Sequence, residues 1–351
     1  MTPPGSGPTG ALATEVGAVA LPNPVLTASG TSGHGTELAE YGALAELGAV
    51  VVKSLSVEPW PGNPAPRVHE VGPSMLNSVG LQGPGLAGWI ASDLPALAET
   101  GARVVVSVWG RSVGDYARAA EMVAAAREGP AGSCIVALEV NVSCPNVEDR
   151  SRMFAHSAEA TARVMAATSC ALPRWAKLSP NVPDIAEIAA GAVDGGADGL
   201  TLVNTLLGLA LDAESGRPVL GAGGGGLSGA AVHPVAVRAV WECRAAFPDL
   251  PIVGVGGVSS GRDAIELLHA GADAVQVGTA TFRDPRAPWK VLREVGRWCR
   301  SHGTTVARLR SEASVEARQR VVPPAQGDTA AFAAATPVAP ARPQHEGGRH
   351  G

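Results

Sequence analysis

The sequence predicts an α/β fold in which eight parallel strands close into a TIM-type (β/α)8 barrel, with long βα loops over its C-terminal face. Three observations carry that prediction. A Gly-Ala pair stands before an apolar, mostly β-branched run four times, at Gly48-Ala49, Gly101-Ala102, Gly196-Ala197 and Gly271-Ala272. Ala- and Leu-rich segments such as Glu37 to Glu46 and Arg262 to His269 read as helices, each ending near a glycine free to take the left-handed conformation. Four further apolar runs bring the candidate strands to eight, and helix then strand, repeated, makes a parallel sheet.

In chain order the strands are expected at Val25–Ala28, Val50–Val52, Val104–Val106, Val136–Asn141, Trp175–Leu178, Leu200–Val203, Ile252–Val255 and Ala274–Val277. Each is short, rich in valine or leucine, and followed by polar or turn-forming residues. Two spans break the rhythm, Ser56 to Gly88 and Leu206 to Gly229, and long βα loops of this kind usually carry function. Gly62-Asn-Pro64 and Asn77-Ser-Val-Gly-Leu81 are expected in an ordered lid, whereas Gly221 to Gly226 reads equally well as disordered linker. Residues 1–12 are expected to be a flexible N-terminus, 13–314 the barrel, and 315–351 a disordered tail rich in Ala, Pro and Gly.

A length of 351 residues suits one barrel, and 44 glycines with 28 prolines call for many turns. A net charge of -5, without runs of Lys and Arg, offers no field for nucleic acid. The five cysteines are odd in number and contain no C-x-x-C pair, which speaks against a disulfide framework, a zinc site or an iron–sulfur cluster, so no metal is expected. No basic leader region and no run of ~18 charge-free apolar residues is found. A soluble, cytoplasmic protein is expected.

The strand ends carry the chemistry. Val136 to Asn146 reads as a strand that stops at Pro145 amid Asn141, Ser143, Cys144 and Asn146. Taken alone, Cys144 is as well explained as a small apolar filler. The other strand ends, however, present Ser29, Lys53, Ser54, Ser107, Lys177, Asn204, Thr205, Gly256, Gly257, Gly278 and Thr279, a polar ring on one face. Of 27 basic residues the lysines are only Lys53, Lys177 and Lys290, and two of these stand at strand ends, where a compact ammonium is of use. The paired glycine turns Gly256-Gly257 and Gly278-Thr279 follow the last two strands, the usual phosphate site of such barrels. A phosphorylated cofactor or substrate is expected there.

The motifs Asn23-Pro-Val-Leu-Thr-Ala-Ser-Gly30, Val52-Lys-Ser-Leu-Ser56, Asn77-Ser-Val-Gly-Leu81, Asn141-Val-Ser-Cys-Pro-Asn146, Lys177-Leu-Ser-Pro-Asn181, Val203-Asn-Thr205, Gly226-Leu-Ser-Gly229, Gly254-Val-Gly-Gly257 and Val277-Gly-Thr279 resemble those of the dihydroorotate dehydrogenases over residues 16 to 300. Cysteine in the Asn-x-Ser-Cys-Pro-Asn motif is similar to the soluble class 1 enzymes, and Lys53-Ser-Leu-Ser with Gly62-Asn-Pro64 resembles class 1B. The resemblance implies one FMN per chain and oxidation of dihydroorotate to orotate in pyrimidine biosynthesis, with Cys144 as general base. It implies substrate contacts from Lys53, Asn77, Ser78, Val79, Gly80, Leu81, Asn141, Asn204 and Thr205. Cofactor contacts would come from Ser29, Lys53, Ser54, Ser107, Asn141, Lys177, Val203, Gly229, Gly256, Gly257, Gly278 and Thr279. It further implies a homodimer and a separate electron-transfer subunit carrying FAD and an iron–sulfur cluster.

Two positions depart from the family pattern: Ser107 stands where asparagine is expected, and Trp60 where a basic residue is common. Other readings are a dihydropyrimidine dehydrogenase-like FMN oxidoreductase, a non-catalytic flavin-binding paralogue, and a cofactor-free phosphate-binding isomerase. A Lys53 ammonium placed for a substrate carboxylate separates the first of these from dihydroorotate oxidation.

Overall fold

Short aliphatic strands, almost wholly buried, form the centre of the computed structural model, which describes residues 10–143 and 153–319. The strands are β1 (Thr14–Val16), β2 (Val19–Leu21), β3 (Val25–Thr27), β4 (Val50–Val51), β5 (Val68–Val71), β6 (Ser74–Asn77) and β7 (Val104–Val108). They continue with β8 (Ile135–Asn141), β9 (Arg174–Leu178), β10 (Gly199–Leu202), β11 (Leu206–Gly208), β12 (Gly225–Gly229), β13 (Ile252–Val255) and β14 (Ala274–Val277). Eight of them pair in parallel in the order β3-β14-β13-β10-β9-β8-β7-β4, and a parallel bridge between Leu26 and Ala49 brings β3 back to β4. The fold is a TIM barrel, and all eight expected strands form it.

The α-helices α1 (Gly85–Glu99), α2 (Val113–Arg127), α3 (Ala158–Ala167), α4 (Ile185–Asp194), α5 (His233–Ala246), α6 (Gly261–Ala270), α7 (Ala280–Arg283), α8 (Ala287–Ser301) and α9 (Val306–Gln319) follow the strands. Local chemistry starts and stops them where tertiary packing needs it. Ser112 with Asp115 and Ser260 with Asp263 make reciprocal capping boxes at the starts of α2 and α6, and Gly271 ends α6 in the left-handed conformation.

Along the barrel strands, side chains alternate between the helices and the interior. Leu138, Val140 and Val142 pack outward in the larger apolar cluster. Inward positions change character with height. Val51, Val105, Ala137, Trp175 and Ala274 fill the base with Leu26 and Val253, and the β1–β2 hairpin plugs that end with Val16, Val19 and Leu21. Two residues further along the strands stand Lys53, Ser107, Glu139, Lys177 and Gln276, and two further again Asn141 and Gly278. The interior therefore turns polar towards the C-terminal face.

Over that face lies a four-stranded antiparallel sheet, β11-β12-β6-β5, built from the two long loops. It corrects the linker alternative for Gly221 to Gly226. Gly225 and Gly226 are strand residues; a Cβ at Gly225 would stand 2.5 Å from Asn77 O, and one at Gly226 would overlap Thr205 Oγ1. Their glycines serve close packing. The expected helix over Glu37 to Glu46 is also corrected: only Leu44–Glu46 is helical, as one 3-10 turn. The chain there is shaped by Trp289, whose indole N–H donates to Ala43 O at 3.0 Å and whose ring leaves no room for a Cβ at Gly42. Gly48 does not take the left-handed conformation; it lets the backbone approach Asn23 O. Helix α9 runs across residue 314, and residues 320–351 lie outside the described residues.

Candidate active site

The polar ends of the barrel strands and the sheet above them enclose a cavity of about 340 Å³. Every expected substrate and cofactor residue lines it except Ser107: Ser29, Lys53, Ser54, Asn77, Ser78, Val79, Gly80, Leu81, Asn141, Lys177, Val203, Asn204, Thr205, Gly229, Gly256, Gly257, Gly278 and Thr279. Ser107 is fully buried beneath, bonded to Ser54 Oγ at 2.9 Å and to Glu139 Oε1 at 3.1 Å. Cys144, with Pro145 and Asn146, lies outside the described residues; Ser143 before it lines the cavity.

The asparagines are held in one hydrogen-bonded cluster. Asn141 Oδ1 accepts from the Ser143 backbone N–H at 3.2 Å and from Asn204 Nδ2 at 3.1 Å, and its Nδ2 donates to Ser54 Oγ at 3.2 Å. Because a backbone N–H can only donate, the orientation of the Asn141 amide follows from the first of these bonds. Tyr116 Oη donates to Asn141 O at 2.7 Å, fixing the end of β8 from α2. Asn77, on β6, donates to Gly226 O at 3.3 Å and faces the same space from above. Asn181 is spent otherwise, on Ser179, Thr205 O and the Leu207 N–H, where it ties down the chain after β10.

Two lysines bring positive charge. Burial, and behind it the Arg67 guanidinium, holds the Lys53 ammonium below the ordinary lysine range. Among the described residues Lys53 makes no ion pair, so its charge is open to an anion in the cavity. Lys177 is 5% exposed and lies 3.5 Å from Glu139 Oε1. Sequence reasoning gives no role to Glu139 or to Gln276, whose Nε2 donates to Glu139 Oε2 at 2.8 Å. The signal that could have found them is a charged and an amide residue at inward positions of otherwise aliphatic strands.

Elsewhere in the cavity four glycines, Gly229, Gly256, Gly257 and Gly278, replace side chains with backbone. Gly229 (φ 99°) and Gly257 (φ 67°) hold conformations that favour glycine, and a Cβ at Gly257 would meet His233 Cβ at 2.6 Å. Thr279 Oγ1 donates to Ser228 Oγ at 2.8 Å beside them. The cradle fits a phosphate approached by backbone N–H groups. Elsewhere in the cavity wall the buried hydroxyls of Ser78 and Ser143 have no partner among the described residues, which suits a polar ligand. Leu81 also lines the cavity and holds φ at 60°, uncommon for leucine and a sign of strain in a ligand-facing loop. Trp60 pairs its backbone with Gly83 and sets its ring edge-on to Trp109 at 5.7 Å, with Arg111 over it at 5.2 Å. It pins the lid loop to the rim of β7.

A family model described as dihydroorotate dehydrogenase matches residues 11–298. The chain belongs to the dihydroorotate dehydrogenase family. Curated relatives named dihydroorotate dehydrogenase B (NAD(+)), catalytic subunit, include those of Geobacter sp. (strain M21), 43% identical over 83% of this chain and 94% of its own length. That of Pelobacter propionicus is 44% identical over 82% and 93%. That of Bacteroides thetaiotaomicron is 40% identical over 83% and 95%. The match to dihydroorotate dehydrogenase spans the barrel and every described residue of the cavity.

Proposed function

We infer that this chain is a dihydroorotate dehydrogenase of class 1B, the catalytic subunit that oxidises dihydroorotate to orotate in pyrimidine biosynthesis. The observation that carries the reading is the union, in one cavity, of a lysine without an ion pair among the described residues, an asparagine cluster and a glycine cradle. We propose FMN as the cofactor, its phosphate at Gly256, Gly257, Gly278 and Thr279 with Gly229 beside them, and its ring towards Lys177, Ser29, Ser54 and Val203. When bound, FMN supplies the acceptor for the two electrons and the hydrogen that leave C6 of the substrate.

The chain's own residues bind, orient and deprotonate. Lys53 is placed to hold the substrate carboxylate, a charge-assisted contact that a neutral pyrimidine would not make. Asn77, Asn141, Asn204 and Thr205 offer both donors and acceptors to the ring amides. The lid residues Ser78 to Leu81 cover the substrate and exclude water. Cys144 takes the proton from C5. A free thiol near pKa ~8.5 is only a few per cent thiolate at neutral pH, so its surroundings lower that value or the reaction favours alkaline conditions.

Three other thiols are poorly suited to act as a base, because burial pushes Cys243 up to about 12 and raises Cys134 and Cys299. The cysteine pattern supplies no cluster ligands, so we propose that electrons leave through a separate subunit bearing FAD and an iron–sulfur cluster. The catalytic subunit is proposed to form a homodimer in the cytoplasm. Among the described residues no helix is long and apolar enough to cross a membrane. Leu207, Leu209 and Leu211, all more than half exposed on β11 and the loop after it, suit such an assembly.

The test is spectroscopic. The purified parent should be yellow, with flavin that bleaches on anaerobic addition of dihydroorotate. Gly257→Val should fold colourless, because a β-branched side chain at φ 67° collides with His233 and closes the cradle. Stoichiometric flavin in Gly257→Val would overturn the phosphate assignment.

A further inference from the structure

The proposed mechanism makes no use of Glu139, although it is the one carboxylate of the described residues within ion-pair distance of Lys177. It is wholly buried in the middle of β8. Its two oxygens take three groups: Ser107 Oγ at 3.1 Å and the Lys177 ammonium at 3.5 Å on Oε1, and Gln276 Nε2 at 2.8 Å on Oε2. That supply matches a group with acceptors only. Lys177 is differently served. Its one ion-pair partner among the described residues is Glu139, at 3.5 Å, and the side chain lines the cavity.

Burying a carboxylate and an ammonium costs more than an apolar pair of similar volume, so stability alone does not account for both. What the pair provides is position. Lys177 is flanked in register by Asn141 on β8 and Thr201 on β10, neither of which carries charge, and Lys53 is the other ionisable described residue lining the cavity. Without Glu139 nothing described near Lys177 would hold a buried ammonium in place.

We propose that Glu139 is a positioning residue for the oxidation, one that holds the Lys177 ammonium at the cavity floor as a fixed positive charge. The proposal rests on the reading that FMN occupies this cavity. Ser107 is part of the device. Its hydroxyl joins Glu139 to Ser54, and Ser54 in turn meets Ser29 and Asn141, so the carboxylate that fixes Lys177 is also tied to the asparagine cluster.

The experiment compares the FMN-loaded parent with Glu139→Gln, Lys177→Met and the double variant Glu139→Met/Lys177→Met. The quantity read is the two-electron midpoint potential of the bound flavin, from anaerobic titration against a reference dye. A positive charge beside the cofactor favours its reduced, more negative form. Lys177→Met removes that charge outright, and in Glu139→Gln the ammonium leaves its place; the carboxylate lost there does not line the cavity, so its direct effect in the opposite direction is the smaller one. Each single variant should therefore move the potential to more negative values by at least a tenfold change in equilibrium, ~30 mV for a two-electron couple. The double variant should move it no further than Lys177→Met alone, because Glu139 acts through Lys177.

A parental or more positive potential in Glu139→Gln overturns the proposal, and so do additive shifts. An insoluble Glu139→Gln beside a soluble double variant supports it, since an unpaired buried ammonium is the difference between them. An insoluble double variant overturns it, by showing a structural role for Glu139 independent of Lys177. A parent that takes up no FMN overturns the reading of the cavity and this inference with it, whereas the other outcomes bear on Glu139 alone.

Discussion

The two ends of the barrel carry charge under opposite rules. At the N-terminal end Asp273, just before β14, is wholly buried with its charge paired on both oxygens: Oδ2 accepts from Arg244 at 2.9 Å and from the Ile252 N–H at 2.6 Å, and Oδ1 makes an ion pair with Arg310 of α9. Arg244 spends three of its other N–H groups on Gly271 O, Pro248 O and Leu250 O. At the C-terminal end Lys53 has no ion pair among the described residues, Lys177 has one, and the hydroxyls of Ser78 and Ser143 have no partner there. Saturated charge is architecture, and charge left open is a site. The contrast predicts where a substitution costs stability and where it costs function.

The largest effect is expected at the base. Asp273→Ala leaves the Arg244 guanidinium buried without its carboxylate, a loss of about 3–5 kcal/mol. Urea unfolding should show it as a lowered midpoint, while the fraction that remains folded keeps its flavin. A loss within ~0.5 kcal/mol, the range of an ordinary surface substitution, would mean that the base is not saturated in the way its geometry indicates.

At the open end the loss should fall on rate. Cys144→Ala is expected to stay folded and yellow, with flavin that bleaches at least ~100-fold more slowly on dihydroorotate, the low end of what a positioned general base contributes. Cys243→Ala, at a thiol that burial holds protonated, should bleach at the parental rate. Stopped-flow absorbance separates the two, and a parental rate in Cys144→Ala would assign the base to another residue.

The charge left open at Lys53 should be visible in its pH dependence. Orotate binding needs the protonated ammonium, so affinity is full below the Lys53 pKa and is lost as pH rises through it. Burial and Arg67 place that fall below the ordinary lysine range, and binding should take up a proton within it. Lys53→Met should weaken orotate about 10- to 100-fold and flatten the profile, the magnitude of a hydrogen bond to a charged group. Arg67→Gln should move the fall to higher pH, because it removes the second cause of the shift. Spectral titration of the bound flavin with orotate reads both, and an unchanged profile in Lys53→Met would remove Lys53 from the carboxylate.

The legibility of the chain follows the same division. The eight strands are readable because each is a local aliphatic run between turn signals, and the cavity is readable because strand ends converge in a barrel. Four features are not, and all are decided by distant partners. The segment from Glu37 to Glu46 has helical composition, but Trp289 holds it in turns. Gly225 and Gly226 look like linker until Asn77 and Thr205 close on them from the neighbouring strand and loop. The β1–β2 hairpin is two strands of three residues, too short to leave a period, and its apolar side chains matter only as the barrel's plug. Glu139 belongs with these, since its hydrogen-bond partners stand 32 residues before it, at Ser107, and 137 residues after it, at Gln276.

The smallest effect tests the contrast within one helix. Arg308 and Arg310 stand close together on α9 and point to different fates. Arg310 reaches the buried Asp273, whereas Arg308 lies 2.8 Å from Glu312 in an exposed i,i+4 pair, with side chains 67% and 51% accessible. Water screens such a pair, and holding two long side chains in one geometry costs entropy, so its net worth is about 0.3–0.5 kcal/mol. Arg308→Ala should accordingly shift the unfolding free energy by no more than that, and the shift should vanish at high salt. Arg310→Ala should cost more and keep most of its cost in salt, because Asp273 sits where water and counterions do not reach. Equal losses from the two, or a salt-sensitive loss at Arg310, would mean that α9 is held by its apolar face alone, through Val306, Leu309 and Ala313, and that Asp273 is satisfied without it.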